Sequence, residues 1–318
     1  MIAHSNKSKQ YLVFALKVLV LCLTFGYIYV KMMSGEQLSF NDFIHNTDYK
    51  GSQLVSFIFL FITLALINWL FEILKWKTIV SHLHKISFLD AAKQSLSALT
   101  VSLATPNRIG EYGAKAYFFP KQKRKQILLL NFFSNAAQMG VTTFFGIIGL
   151  MILSQTYVLP LSSFKIILVL ISIIILFLLG FVFKEKELLI SGFSIENVIG
   201  YFKKVSKNIK LKVILFSVFR YLAFCYLFYL LFHFFGAELS LQQAAPLITS
   251  LYLLSSILPT IFMFDVVIKG GISLWLFSMA GLEELIILST VLAMWLLNFV
   301  IPAVLGSIFV LGYKSPKE

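Results

Sequence analysis

The sequence predicts an all-α polytopic membrane protein, built as an inverted-topology repeat of two halves. Each half is expected to hold three transmembrane helices and one re-entrant helical hairpin. Composition is the first observation: 59% of the 318 residues are hydrophobic and 13% are charged, whereas soluble domains carry about 25% charged residues. The second is a set of apolar runs long enough to cross a hydrocarbon core, which takes about 20 helical residues. The third is a proline-broken segment within each half.

The apolar runs are expected to span the membrane as helices, because only regular backbone satisfies its own polar groups in hydrocarbon. They cover residues of about 11–31, 52–74, 126–153, 161–183, 212–235 and 285–311. The first run is not followed by a small-residue cleavage site, so we expect it to be retained as a span. We therefore treat residues 1–318 as one integral membrane domain.

Lysine and arginine in the connections predict the orientation, because these residues accumulate on the cytoplasmic side. Three connections are rich in basic residues and are expected in the cytoplasm: 75–85, which begins with Lys75, 120–125 and 184–212. Acidic or uncharged connections are expected outside: 32–51, 154–160 and 236–245. The net charge of +13 is then explained by topology and anionic headgroups, not by nucleic acid. We expect a protein of the plasma (inner) membrane of a prokaryote, with both termini cytoplasmic.

Two segments cannot be simple crossings under this orientation. Both ends of 87–119 are expected in the cytoplasm, and both ends of 240–282 are expected outside. Each must enter the membrane and return, with arms of roughly 12–20 residues, each too short or too polar for a comfortable span. Irregular backbone at membrane depth is tolerated only where protein buries it or water reaches it. The two hairpins therefore predict a cavity between them.

The halves, about 11–153 and 161–311, also match in sequence. The first hairpin aligns with the second without a gap as far as a proline, and the alignment continues after one inserted residue in the second hairpin. The aligned positions are Ser87 with Ser240, Pro106 with Pro259, Glu111 with Asp265 and Lys115 with Lys269. Opposite expected orientations make this an inverted-topology repeat, the design of many secondary transporters.

Each hairpin carries an acid four residues before a lysine, which places both side chains on one helical face. In water such a pair contributes only about 0.2–0.5 kcal/mol, whereas an unpaired charge at the bilayer centre costs about 2.5–3.5 kcal/mol. Two explanations stay open: the pairs fix the hairpins, or the lysines face the cavity with an arginine and bind phosphate or carboxylate. The candidate substrate-binding residues are Arg108, Glu111, Lys115, Asp265 and Lys269.

The stretch Thr-Pro-Asn-Arg-Ile-Gly-Glu at 105–111 is the most specific local motif. Pro106 is expected to end the first arm, because the residue before a proline is disfavoured in a helix. Free N–H groups at the start of the second arm would form an anion site, to which Arg108 adds a bidentate fork. Glycines in both hairpins permit close backbone approach. The expected hinge and turn residues are Pro106, Gly110, Gly113, Pro259, Gly270 and Gly271.

Two other features leave alternatives open. Residues 194–212 alternate apolar and lysine positions at helical spacing, which predicts an amphipathic helix on the cytoplasmic surface; a plain basic linker is the alternative. Asn68 and Glu72 share one face of the second span. They serve either interhelix hydrogen bonding or a path for protons or lipid.

The motif at 105–111, the basic run at 121–125 and the six-span layout resemble the flippase-like transmembrane domain of lysylphosphatidylglycerol synthases and their stand-alone relatives. This resemblance implies a role in lipid translocation and points to Pro106, Arg108, Gly110 and Glu111. The second hairpin departs from the family, which often has a Pro-Gly-Gly-x-Gly-x-x-Glu stretch there. Asp265 stands in place of that glutamate. The aminoacyl-transfer domain of the synthases is absent, so we expect no synthase activity and no catalytic residues.

We therefore expect a lipid flippase or transporter for an anionic amphipathic lipid or a lipid-linked headgroup. Its expected partners are the membrane and an anionic phospholipid or lipid-linked substrate, with no nucleic acid, no cofactor and no metal. A homo-oligomer or a partner in envelope synthesis is compatible with the sequence. One alternative is a non-catalytic membrane partner of envelope lipid or glycan synthesis. The other alternative is a membrane-embedded enzyme that acts on lipid headgroups, but the sequence contains no HExxH or GxSxG motif.

Overall fold

The computed structural model describes residues 51–103, 105, 108–157, 195–257 and 262–311. The predicted spans at 11–31 and 161–183 lie outside these residues. The elements of the described residues are all helical. The first four helices are α1 (Gly51–Val80), α2 (Phe88–Ser102), α3 (Gly110–Tyr117) and α4 (Lys121–Thr156).

Six further helices follow in the described part of the chain. They are α5 (Ile195–Lys204), α6 (Lys207–Phe234), α7 (Leu241–Ile257), α8 (Phe262–Ser278), α9 (Glu284–Trp295) and α10 (Ile301–Leu311). One π-helical turn at Leu296–Val300 joins α9 to α10, so these elements form one continuous helix.

Four of these helices are long and apolar enough to cross a membrane: α1, α4, α6 and the continuous α9–α10 helix. They coincide with four of the predicted spans, which confirms an all-α membrane protein. Large apolar side chains such as Phe59, Phe144 and Ile308 are exposed along them, as expected for surfaces that face lipid. Lys75 was predicted to open a cytoplasmic connection, and this is wrong. The helix α1 continues to Val80, so Lys75 lies within it and is fully buried.

The two proline-broken segments form α2 with α3 and α7 with α8, and both begin with the same capping arrangement. Ser87 Oγ accepts a hydrogen bond from Asp90 N–H at 3.0 Å and donates to Asp90 Oδ2 at 2.6 Å. Ser240 Oγ accepts from Gln243 N–H at 3.4 Å and donates to Gln243 Oε1 at 2.8 Å. The arm α3 has only eight residues, shorter than predicted. Pro120 disfavours helix at the residue before it, which separates α3 from α4.

The most extensive packing among the described helices joins α1 to α6, α4 to α7, and α2 to α10. Small residues allow the last two pairs to approach closely, as in other membrane helix pairs. A Cβ at Gly149 of α4 would collide with the Thr249 side chain of α7, and a Cβ at Gly306 of α10 would collide with the Leu96 carbonyl of α2. Thr100 Oγ1 of α2 also donates a 2.8 Å hydrogen bond to the Ala303 carbonyl.

Two buried apolar clusters lie along these helices, with polar residues between them. Along α1, Ala65 belongs to the cluster built mainly with α6 to α9, and Trp76 belongs to the cluster built with α2, α4 and the start of α6. Asn68 and Glu72 lie between these positions and are both buried. This polar layer contains the candidate site.

The amphipathic helix predicted at 194–212 is divided in the structure. The helix α5 ends at Lys204, and Ser206 Oγ caps α6 by accepting a 3.3 Å hydrogen bond from Ile209 N–H. Val205 between them is buried in the second apolar cluster. The prediction of one continuous helix is therefore wrong, because a serine cap competes with the apolar spacing. The position of α5 on a membrane surface stays a prediction.

Candidate functional site

A cavity of about 310 Å³ lies between α1, α2, α3, α4, α6 and the π-helical turn. Its charged lining residues are Glu72, Arg108, Glu111, Lys115 and Arg220. Three of these were candidate substrate-binding residues from the first hairpin. The structure thus brings Arg108, Glu111 and Lys115 to one cavity, which we call the central cavity.

Glu72 of α1 joins three of the helices around the central cavity. Its Oε2 lies 2.7 Å from Lys75 Nζ on the next turn of α1 and 3.0 Å from Arg220 NH1 on α6. Its Oε1 lies 3.8 Å from Lys115 Nζ on α3. Three cations in contact with one buried carboxylate offset the cost of its desolvation.

Lys115 is almost completely surrounded by protein, with 1% of its surface exposed. Its ammonium lies 2.7 Å from Glu111 Oε1, donates to Asn131 Oδ1 at 3.0 Å and sits 4.4 Å from the centre of the Trp76 ring. A lysine has three N–H donors; two of them are used by Glu111 and Asn131, and the ammonium also lies against the Trp76 ring. Of the two explanations left open by the sequence, this geometry favours pairing that fixes the hairpin. Lys115 holds the site together and presents little surface to a ligand.

Arg220 was missed by the sequence analysis. It is the one charged residue of 213–235, after Lys212 at the start of the predicted span, and a lone charged residue within a span is a functional-site signal. Its side chain keeps 23% of its surface exposed, and it lines the central cavity. Its NH1 also donates to Gln138 Oε1 of α4 at 3.3 Å. Arg220 therefore combines a fixed position with an accessible guanidinium.

Arg108 adopts a left-handed backbone conformation, with φ of 57°. For a residue other than glycine such a conformation costs of order 1–3 kcal/mol and is typical of functional sites. Its guanidinium lies 4.5 Å from the centre of the Phe299 ring. Lys269 Nζ, from the second hairpin, lies 4.9 Å from the same ring centre. Phe299 is thus the residue at which predicted site residues from both hairpins meet.

The remaining predicted hairpin residues fall into two groups. Pro106 and Pro259 lie outside the described residues, as does the side chain of Asp265. The backbone of Asp265 lies within α8. The roles predicted for these three residues stay predictions.

The glycines separate clearly by their surroundings. A Cβ at Gly110 would lie 2.8 Å from Thr105 Oγ1, which confirms the close approach predicted there. Gly110 N–H donates to this same oxygen at 2.8 Å, so one N–H expected to be free for an anion is occupied. Gly113, Gly270 and Gly271 were predicted as turn residues, and this is wrong. They lie inside α3 and α8, where no close contact with the described residues requires the absence of a side chain.

The π-helical turn beside the central cavity is held in place by side chains of α1. Asn68 Nδ2 donates to Asn298 Oδ1 at 2.8 Å, and Trp69 Nε1 donates to the Asn298 carbonyl at 3.2 Å. Interhelix hydrogen bonding by Asn68 is thereby confirmed. A π-helical turn inside an α-helix is often a functional feature, and here it directs Phe299 towards the cavity.

Charge around the central cavity is unbalanced. Lys75, Lys115, Arg108 and Arg220 are positive, against the carboxylates of Glu72 and Glu111. Among the described residues of this cluster, positive charges therefore exceed negative charges by two. Arginine guanidinium groups bind carboxylate and phosphate through two parallel hydrogen bonds, so the arrangement suits an anionic group.

Comparison with known proteins gives one family. The model of the lysylphosphatidylglycerol synthase TM region matches residues 43–306, nearly the whole chain. The match includes the motif at 105–111 and every residue of the central cavity. No curated protein matches the sequence significantly. Because the family model covers far more than half of the sequence, the chain belongs to the lysylphosphatidylglycerol synthase transmembrane-region family.

Proposed function

We propose that the protein moves an anionic amphipathic lipid, or a lipid-linked anionic headgroup, across the membrane. The observation that carries this proposal is the excess of two positive charges around the central cavity. An uncompensated charge at membrane depth costs about 2.5–3.5 kcal/mol or more, so an anionic ligand would relieve a real penalty. The flippase-like character of the family supports the same conclusion.

Arg108 and Arg220 are the residues proposed to contact the headgroup. Lys75 and Lys115 are buried against Glu72 and stabilise it, whereas both arginines line the cavity and remain partly exposed. Arginine is also the cation best suited to a phosphate, because its planar fork makes two hydrogen bonds at once. Movement of the headgroup requires no bond to be made or broken, so the proposed activity is transport and not enzymatic.

The architecture proposed for this activity is an inverted repeat with two re-entrant hairpins. Reciprocal packing supports it: α7 of the second half packs along α4 of the first, and α2 of the first half packs along α10 of the second. The matching serine caps at Ser87 and Ser240 begin the equivalent arms. Polar contacts are exchanged in the same way. Gln138 of α4 meets Arg220 of α6, and Asn298 of the last span meets Asn68 of α1.

The two halves differ in the space that they enclose, which supports alternating access. The central cavity, formed mainly by α1 to α4, has a volume of about 310 Å³. The equivalent space in the second half, formed by α6 to α9, has a volume of only about 10 Å³. Phe299 borders both spaces. Rocking of one half against the other would close the first space and open the second.

A transport assay in liposomes tests the proposal. Protein is reconstituted in phosphatidylcholine vesicles that contain phosphatidylglycerol labelled with a fluorophore on its acyl chain. Labelled lipid from the inner leaflet should become accessible to an external quencher faster in these vesicles than in vesicles without protein. The double variant Arg108→Gln/Arg220→Gln should lose this effect. Lys203→Gln/Lys204→Gln removes the same charge from exposed positions on α5 and should retain it. An unchanged rate in the arginine variant would overturn the assigned site, and no movement of any anionic lipid by the wild type would overturn transport.

Topology has a separate test. Ser87 and Ser240 are both exposed, so single cysteines at these positions should react with a membrane-impermeant thiol reagent in oriented vesicles. The inverted repeat predicts that Ser87→Cys reacts from the cytoplasmic side and Ser240→Cys from the outside. Reaction of both from one side would rule the repeat out.

A further inference from the structure

A second cavity, of about 330 Å³, lies beside the loop between α1 and α2 and the turn between α3 and α4. We call it the outer cavity, because it lies nearer the ends of these helices than the central cavity does. None of the central cavity's lining residues lines it. The turn that forms one wall is held in place by Arg124, whose Nε donates to the Phe119 carbonyl at 3.2 Å.

The charges that line the outer cavity are mainly positive. Lys93 of α2 and Lys123 of α4 are half-buried and face it from opposite helices, and the His84 side chain also lines it. Asp90 is the one carboxylate in the lining. Its Oδ2 already accepts a 2.6 Å hydrogen bond from Ser87 Oγ. Two lysines around a pocket of this size form a cradle for a group with several anionic oxygens.

A buried amide forms the inner wall. Gln94 has 5% of its surface exposed and lines the outer cavity. Its Oε1 accepts a 2.7 Å hydrogen bond from Trp76 Nε1, which leaves the amide N–H₂ as the donor end of this side chain. Trp76 is fully buried, and the face of its ring lies 4.4 Å from Lys115 Nζ in the central cavity. One tryptophan therefore contacts a lining residue of each cavity.

We propose that the outer cavity is a second anion site, which takes a phosphate group on Lys93, Lys123 and Gln94, and that Trp76 couples it to the central cavity. The inference deepens the proposed function and rests on it for the fate of the bound group. The end of α1 with the loop after it (75–85) and the start of α4 (121–125) are rich in basic residues, so we infer that the phosphate reaches this site from the side that we expect to be cytoplasmic. Its source is a lipid headgroup or a free phosphate compound.

Equilibrium binding tests the site without any transport. The purified protein is titrated with inorganic pyrophosphate in detergent. In a separate experiment, it is incorporated in nanodiscs that contain phosphatidylglycerol or in nanodiscs that contain only phosphatidylcholine. The double variant Lys93→Gln/Lys123→Gln should weaken binding at least tenfold, and Lys203→Gln/Lys204→Gln should change it less than twofold. Response to pyrophosphate indicates a free phosphate compound, and response only to phosphatidylglycerol indicates a lipid. Equal binding by the lysine variant and the wild type would overturn the site.

Stoichiometry provides a measurement that does not depend on a variant. The wild type should bind two anions per chain, and Arg108→Gln/Arg220→Gln should retain one. A single site that disappears in the arginine variant would overturn the inference while leaving transport through the central cavity intact. Conversely, two bound anions in a protein that moves no lipid would overturn the proposed function and leave the second site standing.

The coupling has its own variant. Trp76→Phe keeps an aromatic ring beside Lys115 but removes the N–H that holds Gln94. An anion bound in the outer cavity should then no longer alter the affinity of the central cavity for its own anion, although both cavities still bind anions. Unchanged coupling in Trp76→Phe would show that the two sites communicate by another route, and the role assigned to Trp76 would be wrong.

Discussion

Glu72 Oε2 lies 3.0 Å from Arg220 NH1, and this contact joins α1 to α6, which pack along each other for much of their length. Under the proposed repeat these are equivalent helices of the two halves. An ion pair at their crossing links the halves at the level of the central cavity. It also leaves part of Arg220 accessible, so one residue both fixes the helices and faces the cavity.

Removal of Glu72 should destabilise the protein more than removal of any other charge in this cluster. In Glu72→Gln, Lys75 and Arg220 lose their carboxylate, and Lys115 keeps only Glu111. Breaking a buried pair in this way costs about 3–5 kcal/mol. Unfolding in detergent with increasing denaturant measures the loss.

The control for Glu72→Gln is Glu196→Gln, at an exposed position of α5. It makes the same chemical change and should alter stability by less than about 0.5 kcal/mol. Similar stability of the two variants would mean that Glu72 is not the centre of the buried cluster.

The sequence could predict the four described spans but not this cluster. Apolar run length determines where a chain crosses a bilayer, so the described spans lie close to their predicted bounds. The partners of Glu72 depend on the rotation of α1 against α3 and α6, which hydropathy does not contain. Lys75 shows the limit: one more helical turn in α1 moves it from a predicted loop into the buried cluster.

The local structure of the motif at 105–111 could be predicted only in part, for a similar reason. Gly110 is crowded by Thr105, as expected for a glycine next to a tight turn. Arg108, and not a glycine, adopts the left-handed conformation in this motif, and no residue pattern in the sequence predicts this. The turn glycines expected at 113, 270 and 271 lie inside helices, because glycine is tolerated there as well as in turns.

The backbone of Arg108 predicts an unusual order of stabilities. Alanine at position 108 would keep the strain of a positive φ, whereas glycine would relieve it. Arg108→Gly should therefore be more stable than Arg108→Ala by about 1 kcal/mol. Both variants should lose anion binding at the central cavity. Thermal unfolding of the two purified variants checks the order, and the opposite order, which is normal at a helical position, would contradict it.

Close helix packing at Gly306 gives a third prediction. Gly306→Ala would place a methyl group against the Leu96 carbonyl of α2, and overpacking of this kind costs about 1–3 kcal/mol. Gly271→Ala is the matched control, since no atom of the described part of the chain lies within 4 Å of a Cβ at that position. There alanine should be neutral or stabilise the helix by up to about 1 kcal/mol. Equal effects in denaturant unfolding would show that α2 and α10 do not approach as described.

Phe299 gives the last prediction, because it borders the open central cavity and the closed space of the second half. Its ring contacts Arg108 and Lys269, and each cation–π contact contributes about 0.5–2 kcal/mol. In a protein whose native cysteines are replaced by serine, Thr142→Cys lies in the open cavity and should react with a polar thiol reagent. Val291→Cys lies in the closed space and should react slowly.

Phe299→Leu removes the aromatic contact with both cations while leaving an apolar side chain at the boundary between these spaces. The closed space should then open more often, so that Val291→Cys reacts at least severalfold faster in the Phe299→Leu background. Thr142→Cys should react at nearly its original rate, since its cavity is already open. A uniform increase at both cysteines would indicate general loosening of the helices. No increase at Val291→Cys would show that Phe299 does not keep the second space closed, because its contacts with Arg108 and Lys269 would then be dispensable for closure.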